Sequence, residues 1–466
     1  MKPAPSFPQG VVLGVLTRAY ALANDEKYIE VAEKAFRVFL VDMAKGGVRT
    51  PVPNGGAFYE EVAGEDVPSS KILNGHIGAL VGLWDYSQHS QNSWAKNAFD
   101  DGVKALKGNL DEYDARGTSY YSLNPKKLAP RGGYNIQHVH QLLWLYKVTN
   151  DPYFLQYAIK FYSYEQSQYE VMVRGSTYPK VHGYYTLYLQ FGNHYWSHNQ
   201  FPTWIELDLK KPKIITGLTI FSGALQRALP KDYDILFLST ARNGTILSKI
   251  QIKDSCTQIR HHNVSDVEAR LIKVVVISDN GNNNVVLTGF GIEVAKQSQD
   301  PIALVDFNHF SSGNSPLRLV DENVNTAWIN SHGYGWIIID LGAPKLLESI
   351  NIVSGIDDTT KVIRSCNLYL SSDLVAWQKI SEITDNNRSS VKVGMGRKFR
   401  AQYIKLEFKQ TGRSSIAEIF INEKKEHSTS HLFDLFDELD IKVNEGKGYS
   451  EYSNTDGFPT LALLAW

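Results

Sequence analysis

At 466 residues the chain exceeds one ordinary hydrophobic core, and its length predicts about three domains of about 100–200 residues each. Its 43% hydrophobic and 21% charged residues make it globular rather than disordered, and 48 basic against 49 acidic residues leave no basic footprint for nucleic acid. Only Cys256 and Cys366 are present, which excludes a disulfide framework and a cysteine zinc cluster.

The opening MKPAPSFPQG lacks the apolar stretch of a signal peptide, and no apolar run reaches the ~18–20 residues of a membrane span. Residues 9 to about 168 carry helical spacing. Val11, Val15, Leu16, Ala19 and Tyr20 share one face; Ile29, Ala32, Ala35, Phe36 and Phe39 share the next, after a turn at Asn24-Asp25. Leu80–Tyr86 and Trp94–Leu110 form a second such pair. Tyr146, Asn150-Asp151 and Tyr153 then repeat the plan of Tyr20, Asn24-Asp25 and Tyr28. In each repeat Asn-Asp ends one helix and caps the next. Recurring helical hairpins predict an α/α toroid, or part of one, with loops gathered around a cleft at one end.

From about residue 176 the period changes to two. Trp204-Ile-Glu-Leu-Asp-Leu precedes Lys211-Pro212, and Trp336-Ile-Ile-Ile-Asp-Leu precedes Ala343-Pro344. An offset of 132 residues links these segments and also links Trp196 to Trp328, Leu236 to Leu368, Ser239 to Ser371 and Ile272-Lys273 to Ile404-Lys405. So regular an offset marks a duplication of one β-sandwich unit. The expected layout is a helical domain over 1–170, β-sandwiches over 171–298 and 299–425, and a tail over 426–466 of unknown structure. In that tail Leu432, Phe433, Leu435, Phe436 and Leu439 suit one short amphipathic helix. The second β unit, with Asp321-Glu-Asn-Val-Asn-Thr-Ala-Trp328, Trp336–Gly342, Leu368–Asp373 and Trp377, resembles the discoidin, or coagulation factor type C, module. That resemblance implies a jelly-roll sandwich and a second glycan or surface ligand at loops on one end.

Three polar, aromatic segments separate the helices: Ala57–Glu61 running on to Pro68–Gly75, Gly117–Leu123, and Arg131–Leu142. Their order is similar to the C-terminal helical domain of the D-glucuronyl C5-epimerase family. The matching elements are Tyr59-Glu60-Glu61, Pro68-Ser69-Ser70, Leu73-Asn74-Gly75, Gly82-Leu83-Trp84-Asp85, and the Tyr-bearing segments at 117–123 and 131–142. Gln9-Gly10 and Thr17-Arg18-Ala19-Tyr20 fit the preceding helix. The resemblance implies inversion of C5 of glucuronate in a heparosan- or heparan-type polysaccharide. That chemistry needs a base on one face of C5, a proton donor on the other, and donors on the carboxylate to stabilise the enediolate. It requires no metal or organic cofactor.

Carried over by motif, Tyr134 and Tyr121 are the catalytic pair. Arg131 is the planar, permanently charged carboxylate clamp. Glu61 falls on an active-site carboxylate. Asn74 and His138 fall on sugar-contacting or supporting positions, Tyr120 takes the place of Tyr121 if the register slips by one, and Tyr59 stands in for a family tyrosine absent at position 62. Plain packing roles compete with each assignment, since tyrosines of helical domains usually serve the core, and no His/Cys/Glu cluster has metal-site spacing. The chain departs from the family where a functional tyrosine is replaced by Val62, and in having its β domains after the helices. Two other readings therefore stand beside an epimerase: a glycan-binding protein without turnover, and a polysaccharide lyase. Family and modules together favour an extracellular, secretory-pathway or cell-envelope setting.

Overall fold

The computed structural model describes residues 5–53, 55–64, 66–90, 92–130, 132–170, 172–175, 196–222, 228–239, 244–306, 314–355, 358–410 and 412–423. The tail over 426–466 and its expected helix lie outside them, as does Arg131. The described residues pack as two units, one running through residue 307 with Ile339–Ala343 added, the other holding the remainder.

Six helices form among the described residues: α1 (Ser6–Ala23), α2 (Glu26–Phe36), α3 (Leu73–His89), α4 (Ser93–Lys107), α5 (Tyr134–Thr149) and α6 (Pro152–Glu170). They make three consecutive hairpins, with α3 against both α1 and α5. The repeated Asn-Asp turns act as their chemistry predicts. Asn24 and Asn150 both adopt the left-handed conformation, φ 50° and 54°, and donate their amides to Tyr20 O and Tyr146 O at 2.8 Å. The next residue, Asp25 or Asp151, then caps the following helix by accepting from Lys27 N at 3.1 Å or Tyr153 N at 3.0 Å.

Helix α3 is buried from Leu73 through Leu80, which suits a sequence that is apolar on nearly all sides. It crosses α1 backbone to backbone. A Cβ on Gly82 would lie 2.0 Å from Gly10 O, and one on Gly10 would lie 2.7 Å from Ala79 Cα. Further along, Arg18 Nε pairs with the part-buried Asp85 carboxylate at 2.9 Å. Much of the Gln-Gly, Thr-Arg and Gly-Leu-Trp-Asp pattern thus serves helix crossing rather than chemistry. Gly82→Ala is expected to cost about 1–3 kcal/mol through overpacking, seen as a lower denaturant midpoint by far-UV circular dichroism; an unchanged midpoint would refute the close crossing. No described helix is long and apolar enough to cross a membrane.

The polar segments are not loop throughout. β1 (Arg49–Pro51) pairs antiparallel with β2 (Ala57–Tyr59), and β3 (Tyr120–Leu123) with β4 (Lys126–Leu128). These hairpins were not visible in the sequence, because strands of three or four residues are too short to show a period of two.

Strands β5 (Met172–Gly175), β6 (Trp196–His198), β7 (Thr203–Ser222), β8 (Pro230–Leu238), β9 (Ile246–Ile252), β10 (Ile259–Asp279) and β11 (Val285–Val294) build the first sandwich. Their order is β6-β11-β7-β10-β8-β9, with β5 on β7. The two long strands serve both layers. The first half of β7 pairs with Leu271–Val276 and with β5; the second half pairs with Ile259–Ala269 and with β11. At the bend Lys210 takes φ 63° and donates its amide to the buried Asp208 carboxylate at 2.9 Å. Trp196, Ile205, Leu207, Tyr233, Phe237 and Val274 share its core.

After β12 (Ile302–Val305), the strands β13 (Trp328–Asn330), β14 (Tyr334–Ser354), β15 (Cys366–Ser371), β16 (Gln378–Ile383), β17 (Ser390–Lys409) and β18 (Ser414–Glu423) repeat the plan in the order β13-β18-β14-β17-β15-β16. The bend recurs where Gly342, φ 77°, donates to Asp340 at 2.8 Å. Trp328, like Trp196, is fully buried. The offset of 132 is not uniform, however. Lys273 pairs with Leu236, whereas Lys405 pairs with Tyr369 rather than Leu368, so β8 and β15 correspond one residue further apart. Trp196 pairs with Leu287 and Trp328 with Ile416, so β11 and β18 correspond three residues closer. Turns between strands absorb these changes while the long strands keep the original spacing.

Candidate active site

The end of strand β2 and the two residues after it send three consecutive side chains to different places. Tyr59 turns into the core. Its hydroxyl donates to Ala98 O at 2.7 Å, its amide donates to His76 Nδ1 at 2.9 Å, and its ring meets Phe39 edge-on. Burial pushes its phenol well above the ordinary tyrosine range. Tyr59 is therefore a packing residue and does not join the other predicted site residues. Glu60 is fully buried and accepts from Ser69 Oγ at 2.5 Å, Ser70 N at 3.2 Å and Lys71 N at 3.1 Å. The Tyr-Glu-Glu and Pro-Ser-Ser elements are thus two halves of one clamp, which fixes the chain entering α3. Sequence reasoning gave Glu60 no role, and its serine partners nine and ten residues on were the available clue.

Glu61 lies against the first turn of α3. A Cβ at Gly75 would sit 2.1 Å from its Oε2 and 2.6 Å from its Cβ. The Asn-Gly element therefore contains glycine because the carboxylate occupies the side-chain position. Glu61 Oε2 is buried with no partner among the described residues, and burial raises its carboxyl above the usual range. Beside it, Asn74 is buried with Oδ1 lacking a partner among the described residues, while Asn74 O accepts from Gln141 Nε2 at 2.9 Å.

The spacing Tyr134, His138, Gln141 places three polar side chains along one stripe of α5, where a core helix would carry apolar ones. Tyr134 opens the helix and is 41% exposed; His138 and Gln141 are buried. The His138 Nε2 and Gln141 Oε1 atoms have no partner among the described residues. Tyr121 reaches this stripe because β3 bulges. Tyr120 pairs with Leu128 and Ser122 with Lys127, leaving Tyr121 as the extra residue. Its ring meets that of Tyr134 at 4.8 Å between centroids and 61° between planes. Burial, then the Glu61 charge, then Tyr134 push its phenol up to about 12. Tyr120 stays outside this group, its ring under Lys126 Nζ at 5.1 Å and its phenol raised by burial and Asp114.

The structure thus gathers Tyr121, Tyr134 and Glu61 at one place, with Asn74 and His138 behind them, and leaves out Tyr59 and Tyr120. The segment 132–138 is held by residues that sequence reasoning missed. Asn135 Nδ2 donates to Glu165 Oε1 at 2.6 Å, and Gly132 N donates to Glu165 Oε2 at 2.9 Å. Glu165 belongs to α6, thirty residues away in sequence from its Asn135 partner, and no local pattern marks it.

Residues 4–163 match the family model described as D-glucuronyl C5-epimerase C-terminus, and residues 295–420 match the F5/8 type C domain. The chain is 33% identical over 176 residues to a D-glucuronyl C5-epimerase of Caenorhabditis elegans, covering 34% of this chain and 28% of that protein. It is also 33% identical over 157 residues to an uncharacterized protein of Methanocaldococcus jannaschii, covering 33% of this chain and 49% of that protein. The chain therefore spans between about a quarter and a half of the length of these relatives. A solved fucolectin from striped bass serum aligns over 56% of this chain and 98% of its own at 14% identity, with a TM-score of 0.25. Residues 4–163 are accordingly similar to the D-glucuronyl C5-epimerase C-terminus and residues 295–420 to the F5/8 type C domain.

Proposed function

We propose that the helical domain is a uronic-acid C5-epimerase acting on glucuronate residues of a heparosan- or heparan-like polysaccharide. The observation that carries this reading is the contact between Tyr121 and Tyr134 beside the half-buried Glu61. Two phenols in contact beside a carboxylate supply the acid and base that inversion needs, with no cofactor. Tyr121, held protonated, suits delivery of the proton to C5; Tyr134 takes the role of base on the opposite face. Rings this close admit no sugar between them, so C5 must approach their hydroxyl ends. Arg131 clamps the carboxylate in this scheme. The β-sandwiches hold further sugars of the polymer.

Incubation of the full chain with heparosan in deuterated water is expected to place deuterium at C5 without producing an unsaturated, ultraviolet-absorbing sugar. Unsaturated product would establish a lyase instead. Val62, 49% exposed where the family has a tyrosine, favours a second reading: a glycan-binding protein without turnover. Binding to the polymer with no label at C5 would support it.

A further inference from the structure

The hydrogen bonds behind the tyrosine pair have directions fixed by backbone groups. Asn135 Oδ1 lies 3.0 Å from Ser119 N, which can only donate; its Nδ2 lies 3.0 Å from Phe161 O, which can only accept. The Asn135 amide therefore has one orientation. Ser119 Oγ is 2.8 Å from the same Oδ1, so the hydroxyl proton points there. Ser119 Oγ has only lone pairs left to offer His138 Nδ1 at 2.8 Å. The proton in that contact must then come from the imidazole.

We propose that His138 is a positioning residue for the tyrosine pair, locked as its Nδ1–H tautomer by a one-way chain from His138 to Ser119 to Asn135 and on to α6. The role rests on the epimerase reading; the tautomer does not. Ser119 stands two residues before Tyr121, and Asn135 directly follows Tyr134. One carbonyl oxygen, Asn135 Oδ1, thus ties the strand bearing one tyrosine to the helix turn bearing the other. Glu165 completes the tie by accepting from both Asn135 and Gly132. Burial agrees with a neutral ring, lowering the His138 imidazolium to about 3. In this state Nε2 carries a lone pair only. It can accept from a hydroxyl and cannot donate a proton, so His138 is not the acid of the reaction and offers nothing to a sugar carboxylate.

The test uses the full chain labelled with nitrogen-15 at histidine, with the His138 resonance assigned by its loss in His138→Gln. A pyrrole-like Nδ1 and a pyridine-like Nε2, unchanged between about pH 5 and 8, are expected, since an unperturbed histidine titrates within that range. Ser119→Ala should mix the tautomers and lower kcat for C5 exchange by about 10–100-fold with KM little changed, because misplaced catalytic groups cost rate rather than binding. Ser119→Thr keeps the hydroxyl and should restore both. A protonated Nε2 in the wild type overturns the lock, and a wild-type kcat in Ser119→Ala overturns the positioning role. A wild-type chain without C5 exchange instead removes the epimerase reading and the role together, while the nitrogen spectrum still decides the tautomer.

Discussion

Tyr121→Phe and Tyr134→Phe are each expected to lower C5 deuterium exchange by about 10²–10⁴-fold, the usual contribution of one acid or base. Phenylalanine keeps the edge-on ring contact at 4.8 Å, so far-UV circular dichroism and thermal midpoint should stay near wild type. Tyr120→Phe is the matched control. It lies one residue from Tyr121 but packs under Lys126, so its exchange rate should stay near wild type. Loss of activity in Tyr120→Phe with retention in Tyr121→Phe would show that the bulge places the wrong residue at the site. The pH profile carries a further expectation. Tyr121 must stay protonated to deliver its proton, and burial with Glu61 beside it holds the phenol up at about 12. The alkaline limb of kcat due to this group should therefore fall above pH ~10, where an ordinary tyrosine titrates.

Gly75→Ala is expected to be nearly as damaging as loss of a tyrosine, although it removes no functional group. The added Cβ would lie 2.1 Å from Glu61 Oε2, 2.6 Å from Glu61 Cβ and 2.9 Å from its Cδ. The helix start is fixed by the Glu60 clamp, so the Glu61 side chain is what must move. A displacement of about 1 Å at a catalytic centre costs on the order of 10²-fold in rate. Comparison of Gly75→Ala with Glu61→Gln separates geometry from charge. If Gly75→Ala exchanges label at the wild-type rate, Glu61 is not part of the chemistry.

The motifs that match the epimerase family divide into two groups once their side chains are placed. Gly10, Gly82, Arg18 and Asp85 hold α1 on α3; Glu60, Ser69 and Ser70 hold the entry to α3. Tyr121, Tyr134 and Glu61, which lie together, are left for the proposed site. In the sequence the two groups look alike, because a polar residue fixing a backbone and a polar residue meeting a substrate occupy similar motifs. Tyr59 and Tyr120 show the same ambiguity. Each lies within two residues of a site residue in sequence and faces elsewhere, Tyr59 because it turns into the core and Tyr120 because the bulge separates it from Tyr121.

Elements that repeat locally were legible in the residues alone. Helical spacing and the two Asn-Asp turns marked the hairpins, because capping and periodicity act within a few residues. The duplicated sandwich was legible because an inherited spacing survives wherever long strands forbid insertion. Tertiary structure alone decided what depends on partners distant in the chain. The one-residue bulge that turns Tyr121 toward Tyr134 follows from pairing with β4. The unequal offsets of β15 and β18 follow from pairing across turns of changed length. Glu165 reaches Asn135 only because α6 folds back on α5. A local pattern records what a residue's near neighbours require; the direction of a side chain is set by backbone partners that no local pattern names.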